Sequence, residues 1–237
     1  MRETITSIPI NDIFGPKDGC PFCRMRDLLE NEMATYITGA AMMEPDVRLE
    51  TNRLGFCHEH FDQMLARGHK LSVALILESL LETVKDDIFE QDTKKPNPKK
   101  IAAAVQQRQE TCFVCDRIEM NTRHYLEVML TMWRTDPDFR KLYNEQTHIC
   151  LPHYGMVMEA AQKLPKKDFP AFYEETTRLA RKYLDTVKAD VSHFCQMFDY
   201  RNAGGDWGTS VDGVERAILW LTSREPDTTQ NSGEKNR

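Results

Sequence analysis

The sequence predicts an all-α protein of two tandem helical repeats, each stapled by a zinc ion on three cysteines and one histidine. Three observations carry that prediction. The chain repeats its own motifs in order, its apolar residues recur at helical spacing, and CxxC and CxxH pairs each occur twice.

The duplication organises the rest. Cys20-Pro-Phe-Cys23 recurs as Cys112-Phe-Val-Cys115 at an offset of 92, and Glu44-Pro-Asp-Val-Arg48 as Asp136-Pro-Asp-Phe-Arg140 at the same offset. Cys57-His-Glu-His60 recurs as Cys150-Leu-Pro-His153 at an offset of 93. Leu81-Glu-Thr-Val-Lys-Asp86 resembles Leu184-Asp-Thr-Val-Lys-Ala189 at an offset of 103, and residues 165–170 read as the lengthened loop that accounts for the drift. Four matches in one order, with offsets that grow only by loop insertions, mark two copies of one unit.

Each copy reads as a set of helices. Met25, Leu28, Leu29, Met33 and Ile37 fall at helical spacing after the first CxxC, as do Leu126, Met129, Leu130 and Trp133 after the second. Glu44-Pro-Asp and Asp136-Pro-Asp have the form of helix starts, with proline in the first turn and acidic side chains at the positive end of the dipole. Val73, Leu77, Leu80, Val84 and Ile88 draw an apolar stripe along a long helix, and Ala180, Tyr183, Leu184, Val187, Val191 and Phe194 draw its counterpart. Period-two alternation is nearly absent, so strands are not expected.

These signals divide the chain into a first repeat at residues 1–92, a linker at 93–100, and a second repeat at 101–200. A Gly-rich loop and a short helix follow at 201–224, and residues 225–237 are polar enough for a disordered tail. The wider connecting segment 91–100 carries two prolines and four lysines and reads as a solvated connector.

Spacing and duplication together point to zinc. A CxxC turn aims two sulfurs at one point, and a CxxH turn supplies a third and fourth ligand in the same way. The half-sites lie 34 residues apart in the first copy and 35 in the second, enough for one helix to leave the CxxC and another to return. Two zinc ions per chain are expected, on Cys20, Cys23, Cys57 and His60 in one site and Cys112, Cys115, Cys150 and His153 in the other. His58 and His148 are rival ligands, but only His60 and His153 share the position three after the cysteine. Four cysteine or histidine ligands close the coordination sphere, which is a structural rather than a catalytic pattern.

Cys-Pro-Phe-Cys also has the form of a thiol-redox motif, but that chemistry needs a strand before it and a βαβ setting. His58-Glu-His60 departs from the HExxH of metalloproteases, because residues two apart splay by about 200° on a helix. Cys195, at the end of the second long stripe, reads as a buried free thiol. Tyr200, Arg201, Asn202 and Trp207 bring aromatic and cationic side chains into one glycine-rich segment and are candidate partner-binding residues. Against that stands a helix end with Trp207 packed back on the core.

The run from Ser7-Ile-Pro-Ile-Asn-Asp through Cys20-Pro-Phe-Cys23, Met43-Glu-Pro-Asp-Val-Arg48 and Gly55-Phe-Cys57 to Asp199-Tyr-Arg-Asn202 resembles a known family. It is a family of uncharacterised proteins from anaerobic Gram-positive bacteria, catalogued as a domain of unknown function. The resemblance covers nearly the whole chain and implies no activity. Some members carry an automatic label as substrate-binding components of ABC transporters. The N-terminal residues lack the apolar core of a signal peptide, which argues against that label and for a cytoplasmic protein.

The net charge of −6 offers no global positive field for nucleic acid or anionic lipid, and residues 71–81, the most apolar stretch, fall short of a bilayer span. The expected function is a non-catalytic zinc-stabilised adaptor or regulator that binds another protein. The alternatives are a thiol-redox or metal-sensing protein using Cys20-Pro-Phe-Cys23, and a nucleic-acid-binding regulator using the lysines at 94–100.

Overall fold

The computed structural model describes residues 8–90, 96–202 and 204–226. They contain eleven α-helices and no strand. These are α1 (Ile8–Phe14), α2 (Pro21–Thr38), α3 (Pro45–Leu54), α4 (His58–Ala66), α5 (Lys70–Val84) and α6 (Pro98–Glu110), then α7 (Phe113–Thr135), α8 (Pro137–Asn144), α9 (Leu151–Ala160), α10 (Phe169–Met197) and α11 (Gly213–Thr222). No helix among the described residues is long and apolar enough to cross a membrane.

The duplicated motifs start helices, as their composition predicts. Pro45 and Pro137 occupy the first turns of α3 and α8, and Asp136 caps α8 by accepting from the amides of Asp138 and Phe139. The repeated arginines hold these short helices to the long ones. Arg48 donates to the Leu75 carbonyl and the Ser79 hydroxyl on α5, both at 3.1 Å. Arg140 pairs with Glu175 on α10 at 2.6 Å and lies 4.2 Å over the Trp133 ring.

The chain divides into two compact units, and they are permuted relative to the sequence copies. One comprises Met1–Met25 and His124–Arg237, the other Arg26–Arg123. The first five residues of α2 therefore belong to one unit and the remainder to the other, and α7 divides likewise after Arg123. In the discontinuous unit, α10 packs against α8, α9 and α11, and α1 packs on α8. Its core is aromatic: Phe14 meets Phe22, Phe139 and Tyr143 at centroid distances of 5.6, 5.2 and 5.8 Å, and Phe172 meets Trp133 at 5.0 Å. In the continuous unit α5 packs against α3 and α4, around a core that includes Ile37, Leu54, Met64, Val73, Ile76, Leu80 and Phe113.

Three local expectations change. The connector ends sooner than its prolines and lysines suggest, because Asn97 caps α6 and Pro98 takes its first turn, so Lys99 and Lys100 are helical. The remaining connector residues 91–95 and the tail from 227 onward lie outside the described residues. A π-helical turn, Lys85–Phe89, ends the first long stripe, with Ile88 still buried. Cys195 is exposed rather than buried, since on a 3.6-residue helix it points about 100° away from its half-buried neighbour Phe194.

Candidate metal centres

All four half-sites are built the same way. In each, the first ligand stands immediately before a helix and the second lies one turn inside it, so both side chains project from one helix N-terminus. Cys57 and Cys150 are the N-caps of α4 and α9, and their backbones are extended at φ −75°, ψ 164° and φ −72°, ψ 161°. Cys20 and Cys112 hold the corresponding places before α2 and α7, where the Cys20 carbonyl accepts from Cys23 N and the Cys112 carbonyl from Asp116 N. The macrodipole at such a terminus favours thiolate over thiol.

The half-sites meet in two clusters, and the pairing corrects the sequence-based one. Cys20 and Cys23 join Cys150 and His153, while Cys57 and His60 join Cys112 and Cys115. The expectation of one centre within each copy fails because the CxxC of each copy closes on the CxxH of the other. Each cluster nevertheless lies within one compact unit.

Local packing makes the crossed arrangement. Phe113, inside the second CxxC, sits 6.3 Å from Phe56, the residue before Cys57, and its amide donates to the Gly55 carbonyl at 2.9 Å. Thr111 adds a hydroxyl bond to the Leu54 carbonyl at 2.7 Å. In the other unit Phe22, inside the first CxxC, lies 6.2 Å from the His153 ring. There Gln146 donates to the Phe14 carbonyl at 2.7 Å, and Thr147 bonds the Lys17 carbonyl. The segment before each CxxC is thus tied to the segment before the opposite CxxH.

In each cluster three sulfurs and one imidazole nitrogen lie within 4.8 Å of one another, close enough to share one cation. Metal–sulfur distances of about 2.3 Å and metal–nitrogen distances of about 2.0–2.1 Å imply sulfur–sulfur edges of about 3.8 Å and sulfur–nitrogen edges of about 3.6 Å. In the discontinuous unit Cys23 Sγ lies 3.8 Å from Cys150 Sγ. His153 Nδ1 is 3.7, 3.4 and 3.0 Å from the sulfurs of Cys20, Cys23 and Cys150. In the continuous unit Cys57 Sγ lies 3.9 Å from Cys115 Sγ. His60 Nδ1 is 3.1, 3.4 and 3.4 Å from the sulfurs of Cys57, Cys112 and Cys115. Both histidines present Nδ1 to the thiols.

The thiols compete for charge when only protons balance them. Burial opposes ionisation of Cys20, yet hydrogen bonds from Cys150, Cys23 and His153 hold its thiol well below the usual range. Cys23 is pushed up by its bonds to Cys150 and Cys20, and Cys150 is pushed up to about 12 by its bond to Cys20. Burial and then the charge on Cys112 raise Cys115. Three thiolates can coexist in such a space only around a cation, which deprotonates the thiols it binds.

The rival histidines lie elsewhere. His58 is fully outward and pairs with Asp62 at 3.1 Å. His148 is buried and stacked on Tyr183 at a centroid distance of 3.8 Å, and burial pushes its imidazole down toward the neutral form. Among the candidate partner-binding residues, Tyr200 is 86% exposed. Arg201 is engaged by Asp199 at 2.5 Å, and Asn202 donates to the Gln196 carbonyl. Trp207 is half-buried edge-on against Phe194 and Phe198.

A family model matches residues 1–228, nearly the whole chain and all eight clustered ligands. The chain belongs to that family, a family of unknown function (DUF6062). Membership agrees with the resemblance carried by the CxxC, Glu-Pro-Asp and Asp-Tyr-Arg-Asn motifs, and it assigns no chemistry. No curated protein and no solved structure matches the chain.

Proposed function

We propose that the chain is a zinc protein with two structural Cys3His centres, acting without catalysis as an adaptor or regulator that binds another protein. The observation that carries the zinc assignment is the meeting of three sulfurs and one imidazole nitrogen within 4.8 Å of one another, twice. Thiolate-rich tetrahedral sets select zinc over harder cations such as magnesium or calcium. Four protein ligands leave no position for an activated water, which speaks for a stabilising role. Seven unpaired cysteines suit a reducing compartment such as the cytoplasm.

The partner reading rests on the end of α10, where Phe198 is 71% and Tyr200 86% exposed beside the half-buried Trp207. The lysine-rich connector gives nucleic acid less support, because the chain carries a net charge of −6.

Metal analysis of untagged protein, with thiols counted before and after denaturation in chelator, tests the zinc assignment. Two zinc ions per chain and thiols that react mainly after metal removal are expected. Metal-free protein with a disulfide that cycles with reductant would replace this reading with redox chemistry. A photo-crosslinking residue at position 200 tests the adaptor role against the same probe at Tyr173, also exposed at 47%. One discrete protein adduct specific to position 200 is expected, and equal labelling from both positions would count against it.

A further inference from the structure

The two centres share a ligand set but not an environment. In the discontinuous unit Cys20, Cys150 and His153 are 5%, 1% and 8% exposed, and only Cys23 is half-buried. In the continuous unit His60 and Cys112 are buried, whereas Cys57 is half-buried and Cys115 is exposed. The two ligands nearest solvent there are also neighbours, with sulfurs 3.9 Å apart.

Packing accounts for the difference. Helix α11 packs on α9 and α10, and its Trp220, 5% exposed, donates from the indole N–H to the Ile149 carbonyl at 3.2 Å, directly beside Cys150. Arg24 ties the neighbouring CxxC helix to the Ile13 carbonyl and Asp18. In the continuous unit the helix after the long stripe is α6, which packs on the π-helical turn and buries none of its residues. Among the described residues of that unit no buried indole covers the backbone before the CxxH cysteine.

We infer that the continuous unit's centre is a peroxide-reactive thiol site, at which Cys57 and Cys115 form a disulfide and release the metal while the other centre keeps its own. The inference rests on the zinc assignment above. Cys115 thiolate attacks hydrogen peroxide, forming an S–O bond and breaking the O–O bond, and one proton from solvent leaves the departing oxygen as water. Cys57 thiolate then attacks the Cys115 sulfur, forming the S–S bond and expelling the second oxygen, which a second solvent proton converts to water. Two sulfurs give up two electrons and peroxide becomes two waters. The cation keeps only His60 and Cys112 and departs, and a dithiol reductant reverses the change.

The test is oxidation of the zinc-loaded full chain by hydrogen peroxide. Metal content is measured beforehand, released zinc is followed with a chromogenic chelator, and disulfides are mapped after alkylation. One of two zinc equivalents should leave about tenfold faster than the other, since a covered site reacts through local opening. A Cys57–Cys115 cross-linked peptide should appear at the same rate. Cys115→Ser should lose the fast phase. Trp220→Ala should uncover the slower centre and bring its release toward the faster one. Simultaneous release of both ions, or a first disulfide drawn from any other pair, overturns the inference and leaves the zinc assignment standing. Protein that holds no metal before oxidant is added overturns the zinc assignment instead, and the disulfide map still decides which cluster oxidises first.

Discussion

Cys23 Sγ lies 3.8 Å from Cys150 Sγ across 127 residues of chain, although Cys57 follows Cys23 in the same repeat after only 34. Pairs of substitutions read this crossed pairing directly. Cys57→Ser with Cys112→Ser removes two ligands from one centre and should cost one metal ion per chain. Cys20→Ser with Cys57→Ser strikes both centres and should cost two. In-copy pairing would reverse the two results, so metal stoichiometry of both double variants decides between them.

Gly55 holds φ +65° and ψ −159°, a backbone region that side chains rarely tolerate, while its carbonyl accepts the Phe113 amide. Gly55→Ala should destabilise the chain by about 1–3 kcal/mol through strain alone, since no atom crowds the added methyl. Urea unfolding of the metal-loaded protein measures this. An unchanged midpoint would show that the turn relaxes without loss.

Glu175 gathers Arg140, Asn144 and Trp133 at one carboxylate, with bonds of 2.6, 2.7 and 2.9 Å. Burial raises its pKa, but those three donors outweigh burial and hold the carboxyl below the usual carboxylate range. A depressed folded-state pKa gives stability that is present above the unfolded value of about 4.3 and is lost as pH falls through the folded one. Glu175→Gln should therefore lower stability at neutral pH and flatten its decline in acid. Thermal melts of both proteins from pH 7 to pH 3 test the sign, and parallel curves would contradict it.

Tyr143 and Thr176 are both fully buried and share a hydroxyl bond of 2.8 Å. Tyr143→Phe leaves the Thr176 hydroxyl without that partner and should cost about 1–3 kcal/mol. Adding Thr176→Val should recover part of the loss. A double-mutant cycle in urea reads the coupling, and simple additivity would mean the bond contributes little.

Much of this architecture was legible in the residues. The eight clustered cysteines and histidines, the helix starts at Pro45 and Pro137, and the stripes along α5 and α10 apart from the exposed Leu184 follow from spacing and capping chemistry. The partnership of half-sites was not. Two CxxC and two CxxH turns give two Cys3His sets under either pairing, so ligand count and spacing carry no information about which turns meet. The deciding contacts, Phe113 on Gly55 and Gln146 on Phe14, are long-range and leave no periodic trace. Helix α6 was hidden by prolines and lysines, although Asn97-Pro98 is itself a cap and first-turn signal. Ile10, Ile13 and Phe14 carry a helical spacing for α1 that is too short to stand out.

The crossed pairing also sets an order on the growing chain. Synthesis proceeds from the N-terminus, so Cys20 and Cys23 leave the ribosome first, but their partners Cys150 and His153 follow more than a hundred residues later. The centre on Cys57, His60, Cys112 and Cys115 has all its ligands once Cys115 has emerged, before Cys150 exists. The half-site made earliest is therefore completed last, and its two thiols must stay reduced throughout that wait.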